Sequence, residues 1–196
     1  VGTWASNVSS NYLRDASVEW DFYTGYIKTF DKFSAGMTVF YYYYPGAKST
    51  PETGSTSYNY GEIVPQIGYG PLTLKYFITY TPDYAGYNSD TMGGPAGKRS
   101  RGTTYLDLTF TQPINESWTF GAHYGYERIK NFSEANFQDM KVELIKDLGD
   151  GWTTGLAYAK AWDKNGEYRN YSNGEPDAPI SNPIDSTFTV SVKKVF

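Results

Sequence analysis

One histidine stands in the 196 residues, and the pattern around it sets it among carboxylates. In the segment Thr119, Gly121, His123, Gly125, Glu127, the odd-numbered side chains fall on one side of an extended strand, so His123 and Glu127 share a face. Imidazole beside an acid is raw material for general-base catalysis. A hydrolytic site also needs a nucleophile, and no Ser accompanies His123 on its own strand. An enzyme is therefore not expected, and His123 reads as a hydrogen-bonded residue of a polar interior. The same alternation gathers Glu19, Asp21, Glu62, Asp107, Glu127, Asp139, Glu143 and Asp185 on polar faces, against Lys75, Lys141 and Lys193. Acid exceeds base. Two readings stay open: an interior that concentrates positive solutes, or a closed network of ion pairs that fills a narrow space.

Other motifs carry less. Gly93-Gly94-Pro95-Ala96-Gly97-Lys98 has glycine spacing one residue short of a phosphate loop, with Arg99 where Ser or Thr is required, so no nucleotide site is expected. Lys98, Arg99 and Arg101 lie in a long connection and are candidates for phosphate groups of lipopolysaccharide, against the simpler reading of a solvated loop. Asp163, Asn165 and Glu167 offer oxygen ligands at alternate positions but lack the calcium-loop pattern. Cys is absent, which removes disulfides and thiolate metal sites. No cofactor or metal is expected. A net charge of -4 and a pI near 5.0 argue against nucleic acid as a partner.

The elements that must position these residues are strands. Twenty Tyr, eleven Phe and five Trp, punctuated by twenty Gly and ten Pro, favour strands and turns over helices. No apolar run approaches the roughly 18 residues of a spanning helix, and mean hydropathy is -0.56. A barrel strand shows lipid only alternate residues, so low hydropathy does not argue against a membrane. Period-two alternation picks out ten segments, at 1 to 8, 16 to 30, 33 to 44, 58 to 69, 72 to 80, 103 to 112, 117 to 130, 136 to 147, 152 to 163 and 184 to 196. In the last, Ile184, Phe188, Val190, Val192 and Phe196 oppose Asp185, Thr187, Thr189, Ser191 and Lys193. In the fifth, Leu72, Leu74, Tyr76, Ile78 and Tyr80 oppose Thr73, Lys75, Phe77 and Thr79.

Connections alternate between short (Asp31-Lys32, Gly70-Pro71, 112 to 116, 147 to 151) and long (45 to 57, 81 to 102, 164 to 183). Outer-membrane barrels share that asymmetry, with short periplasmic turns and long outer loops. Trp118 and Trp152 follow short turns, Trp20 and Trp162 flank long loops, and with Phe196 they are candidates for two interfacial aromatic girdles. A tyrosine-rich soluble sandwich is the alternative, but ten strands with apolar outer faces exceed what one small core can bury. The expectation is all-β: a single domain, 1 to 196, forming a transmembrane antiparallel up-and-down β-barrel of ten strands.

Gly2-Thr3-Trp4-Ala5-Ser6-Asn7-Val8, Val18-Glu19-Trp20-Asp21-Phe22-Tyr23-Thr24-Gly25-Tyr26 and Tyr42-Tyr43-Tyr44-Pro45-Gly46-Ala47 resemble the TorF-type family of proteobacterial porin-like proteins, as does Tyr60-Gly61-Glu62-Ile63 with Tyr76 to Tyr84. The resemblance spans nearly the whole chain, through strand and turn patterns. It implies an outer-membrane location, passive passage of small hydrophilic solutes, contact with outer-membrane lipid and lipopolysaccharide, and recognition of Phe196 by the barrel-assembly machinery. Solute and oligomeric state are not implied. Two departures accompany it: a strand pair usually precedes the Gly-Thr-Trp-Ala-Ser-Asn motif, which would make twelve strands, and Lys194 stands outward where an aromatic is usual.

Overall fold

The computed structural model describes residues 1–49, 55–175 and 177–196. The chain runs as β1 (Gly2–Asn7), β2 (Val18–Phe30), β3 (Phe33–Tyr43), β4 (Lys48–Ser49), β5 (Thr56–Ser57), β6 (Tyr60–Tyr69), β7 (Leu72–Thr79), β8 (Thr104–Pro113), β9 (Trp118–Arg128), β10 (Phe137–Gly149), β11 (Trp152–Asp163) and β12 (Thr187–Lys194). A one-turn helix, Ser89–Met92, and a 3-10 turn, Ser133–Ala135, lie in connections. Ten strands make one antiparallel meander, ordered β1-β2-β3-β6-β7-β8-β9-β10-β11-β12, and the two-residue β4 and β5 pair separately. The ten long strands agree with the expected segments to within three residues at every boundary. The centre of the expected 45 to 57 loop, residues 50 to 54, lies outside the described residues.

Register follows the pattern that alternation demands, because a slip of one residue would turn every apolar side chain to the polar side. Directly paired residues share a face. Asp107 faces Gly125, Gly125 faces Asp139, and Lys75 faces Asp107, while Tyr76 faces Leu106 and Leu106 faces Tyr126. One face of the sheet is therefore polar and the other apolar across β7 to β10. Tight turns hold this register: Phe30 pairs with Phe33 around Asp31 at φ 56°, and Tyr69 with Leu72 around Gly70 at φ 55°.

The distribution of apolar residues is inverted relative to a water-soluble sheet. Among the described residues, Val64 is the only buried apolar side chain in a long strand. The others form two small clusters in the long connections, Ala16, Tyr44, Ala47 and Tyr58 in one and Ile129, Phe132, Ala135 and Tyr168 in the other. On the apolar face, Val190, Phe188 and Tyr26 are 79%, 73% and 72% exposed.

Two sequence expectations need adjustment. Ile184 and Asp185 do not belong to the last strand, which begins at Thr187; Ile184 instead packs on the second loop cluster. Among the described residues, β1 and β12 are the two edges of the sheet, so the coarser description of a ten-stranded meander holds and no β1 to β12 ladder joins its ends. The ends nonetheless meet at the long-connection rim. Tyr171 donates its hydroxyl to the carbonyl of Tyr12 at 2.6 Å, Asn173 Nδ2 donates to that of Ser10 at 2.7 Å, and Arg14 Nε lies 3.2 Å from Glu175 Oε1. The connection between β1 and β2 touches the last long connection, so the sheet curls toward its polar face.

Candidate functional site

Eleven of the twelve polar candidates share the concave polar face by register, Asp185 being the exception on the loop before β12. They fall into two sets that differ in pairing. Toward the short turns the charges are matched. His123 Nε2 lies 2.9 Å from Asp139 Oδ1 and its Nδ1 3.4 Å from Asp107 Oδ1, so one ring spans two carboxylates carried on β8 and β10. Tyr105 donates its hydroxyl to Asp139 Oδ2 at 2.9 Å and sits 2.9 Å from His123 Nε2. Thr109 donates to Asp107 at 2.7 Å, and Lys75 stands directly across from Asp107. Lys141 pairs with Glu143 at 3.1 Å. Lys193 stands opposite Thr153.

Toward the long connections the carboxylates are unmatched. Glu62 and Glu127 are 4% and 2% exposed, and among the described residues neither has an ion-pair partner. Glu62 receives a long 3.5 Å bond from the Thr79 hydroxyl and has Tyr42 as a further donor, while Glu127 Oε1 and Asp21 Oδ1 accept none among the described residues. Glu19 accepts from the Tyr44 hydroxyl at 2.6 Å. A buried carboxylate without donors is costly in its charged form.

Aromatic side chains ring this unmatched set. Centroids run from Phe40 to Phe77 at 6.4 Å, Phe77 to Tyr105 at 5.8 Å, Tyr105 to Phe137 at 6.5 Å and Phe137 to Tyr168 at 5.8 Å. The Tyr168 hydroxyl meets that of Tyr87 at 3.2 Å, and the ring returns through Tyr84 (6.1 Å), Tyr60 (4.9 Å), Tyr42 (4.4 Å) and Phe40 (5.9 Å). A cavity of about 350 Å³ lies within, lined by Glu62, Glu127 and Asp139 together with five of these aromatics. A second, of about 610 Å³, opens toward the long connections and shares Tyr60, Tyr84 and Phe137 with the first. Burial, then the charges of Glu127 and Glu62, push the Tyr84 phenol well above its ordinary value; burial and Tyr168 do the same for Tyr87. Both keep their protons.

A family description, "Bacterial protein of unknown function (Gcw_chp)", matches residues 1–196. This chain belongs to the Gcw_chp family. No curated protein and no solved structure matches the chain. Membership in Gcw_chp carries no activity with it, so what these residues do must come from their chemistry.

Sequence reasoning missed the aromatic ring. Its signal was there: Phe77 falls among Thr73, Lys75 and Thr79, on the polar side of its strand, and Tyr105 shares the parity of Asp107. It also missed Gly125, where any Cβ would collide with the Tyr105 hydroxyl and Asp139 Oδ2. The girdle candidates have distinct surroundings. Trp20 stacks on Phe22 at 5.5 Å and donates Nε1 to Thr3 Oγ1 at 2.6 Å. Lys146 Nζ lies 5.4 Å over Trp118, and Lys194 Nζ lies 5.2 Å over Trp152 and 5.9 Å over Phe196. Trp162, one residue before the end of β11, stands opposite Gln138. Among the cations of the 81 to 102 connection, Arg99 is held by Asp83 at 2.7 Å and Arg101 by the Tyr80 carbonyl at 2.7 Å, which leaves less for a phosphate than their charge suggests. Asp163 accepts the Tyr168 amide and Asn165 donates to the Glu134 carbonyl.

Proposed function

We propose that the sheet closes into a transmembrane barrel of the bacterial outer membrane and lets small hydrophilic solutes pass, cations in preference to anions. The observation that carries this reading is the apolar face. Large side chains exposed along the whole outer surface, from Tyr26 through Leu108 and Val142 to Val190, would be intolerable in water and suit lipid. The resemblance to TorF-type porins, finer than the Gcw_chp membership, supports the same reading. So does the position of Lys146 and Lys194, whose ammonium groups lie over Trp118 and Trp152 at the short-turn rim, an arrangement suited to a headgroup region. Glu62 and Glu127, without ion-pair partners among the described residues, would in their ionised form attract cations and repel anions inside a low-dielectric passage.

Single-channel conductance in a planar bilayer, with reversal potentials under a salt gradient, tests the proposal. Cation-selective steps are expected, and anion preference would refute the selectivity. A second reading, a plugged barrel acting through its outer loops, draws on the matched His123, Asp107, Asp139, Lys141 and Glu143 group, which crosses the polar face around the middle of β8, β9 and β10. Absence of any conductance from correctly inserted protein would favour it.

A further inference from the structure

We propose that the cavity between Glu62 and Glu127 is a binding site for a small organic cation, an alkylammonium solute whose charge meets Glu127 while its carbon groups lie against the aromatic ring. The inference rests on the polar face being the wall of an enclosed interior, and it names a ligand class within the cation preference proposed above.

Four observations converge on that class. The first is Glu127, 2% exposed, lining the cavity with Oε1 unpartnered among the described residues. A neutral donor could hydrogen-bond that oxygen and an anion would worsen its surroundings; a cation is the partner that also offsets a buried negative charge. The second is where the nearby basic groups are spent. Arg14 is taken by Glu175, Arg99 by Asp83, Lys141 by Glu143, and His123 by Asp107 and Asp139. The third is the wall itself: Tyr60, Tyr84, Tyr105, Phe77 and Phe137 present ring faces or edges to a space of about 350 Å³. Ring faces attract a weakly hydrated ammonium group with spread-out charge and offer nothing extra to a hydrated metal ion. Among the described residues no cluster of His, Asp or Glu has the arrangement of a metal site. The fourth is access. The larger cavity, lined by Tyr12, Tyr58, Tyr87 and Tyr171 among others, joins the inner one at Tyr60, Tyr84 and Phe137, so a solute arriving from the long-loop side meets tyrosine before carboxylate. A volume near 350 Å³ lies at the small end of ligand pockets. It suits a compact amine rather than a peptide.

Calorimetric titration of the full chain in detergent micelles with choline tests this, alongside 3,3-dimethylbutanol, which has the same shape without the charge. Choline should bind saturably and the uncharged alcohol about tenfold more weakly or worse. Glu127→Gln, which keeps the side-chain shape, should weaken choline binding by about tenfold, and Tyr84→Leu, in a connection outside the strands, by several-fold. Glu116→Gln, in the short turn at the opposite rim, should leave it unchanged. Equal affinity for the alcohol, an unaltered Glu127→Gln, or no binding of choline at millimolar concentration would overturn the site. Failure of the channel reading is separate: binding without bilayer conductance would remove passage but keep the site, and conductance without choline binding would do the reverse.

Discussion

Charge pairing decides which polar residues hold the structure and which are free to act. His123 bridges Asp107 and Asp139, and Tyr105 adds a donor to Asp139, so this group is a structural crosslink between β8, β9 and β10. Replacing the ring by an apolar one, in His123→Leu, would leave two carboxylates facing each other without their shared donor. We expect a loss of about 1–3 kcal/mol, measured by urea unfolding from detergent micelles. Thermodynamic cycles with Asp107→Asn and Asp139→Asn should show coupling; strict additivity would mean that the three side chains do not act together. Glu62→Gln together with Glu127→Gln should behave oppositely. Stability should hold or rise, since a buried unpaired carboxylate is relieved, while cation preference in reversal-potential measurements falls. The sequence placed all these residues on one face but could not divide them, because pairing depends on partners from three or four strands that are far apart in the chain.

At the scale of strands, the sheet is built by setting bulk against glycine. A Cβ on Gly2 would meet the ring of Tyr23 at 2.5 Å, and one on Gly61 or Gly125 would run into the hydroxyl of Tyr80 or Tyr105. Each tyrosine lies over the bare backbone of a neighbouring strand, where it fills the gap left by the missing side chain. Gly125→Ala should therefore displace Tyr105, cost about 1–3 kcal/mol by overpacking, and mimic part of the His123→Leu effect; full stability would show that Tyr105 has room to move aside. The apolar face makes a separate prediction. Leu106 lies between Tyr76 and Tyr126 on the outer side, so Leu106→Arg should cost about 2–4 kcal/mol in a bilayer if it sits near the midplane. Thr111→Arg, on the polar face near the short turn, should cost far less. Equal costs for the two would argue that both faces meet the same solvent.

For the whole molecule, contacts between the two ends of the sheet at the rim make its closure testable. Ser10 and Asn173 meet although they belong to the first connection, between β1 and β2, and the last, between β11 and β12. With cysteines at both positions, a short bismaleimide should join them in the inserted protein and change its mobility in denaturing gels. Inability to crosslink in membranes, with a control pair across β8 and β9 that does react, would mean that the sheet does not come round on itself. The clasp of Tyr12 on Tyr171, with ring centroids 5.2 Å apart, and of Arg14 on Glu175 covers the same seam.

Strand count, boundaries, face assignment and the rhythm of short and long connections were all legible in the sequence. Each follows from local rules: side chains alternate along a strand, and Gly, Pro, Asn and Asp mark its ends. Ile184 was misread because its hydrophobicity fits the alternation equally well, and only packing on Phe132 and its neighbours pulls it into a loop cluster. The aromatic ring, the unmatched Glu62 and Glu127, and the meeting of the first and last connections were decided by tertiary structure. A single strand shows only which side a residue faces. How high it sits, what stands opposite and whether a charge is paired depend on the stagger of successive strands and on the curl of the sheet, which no local segment encodes.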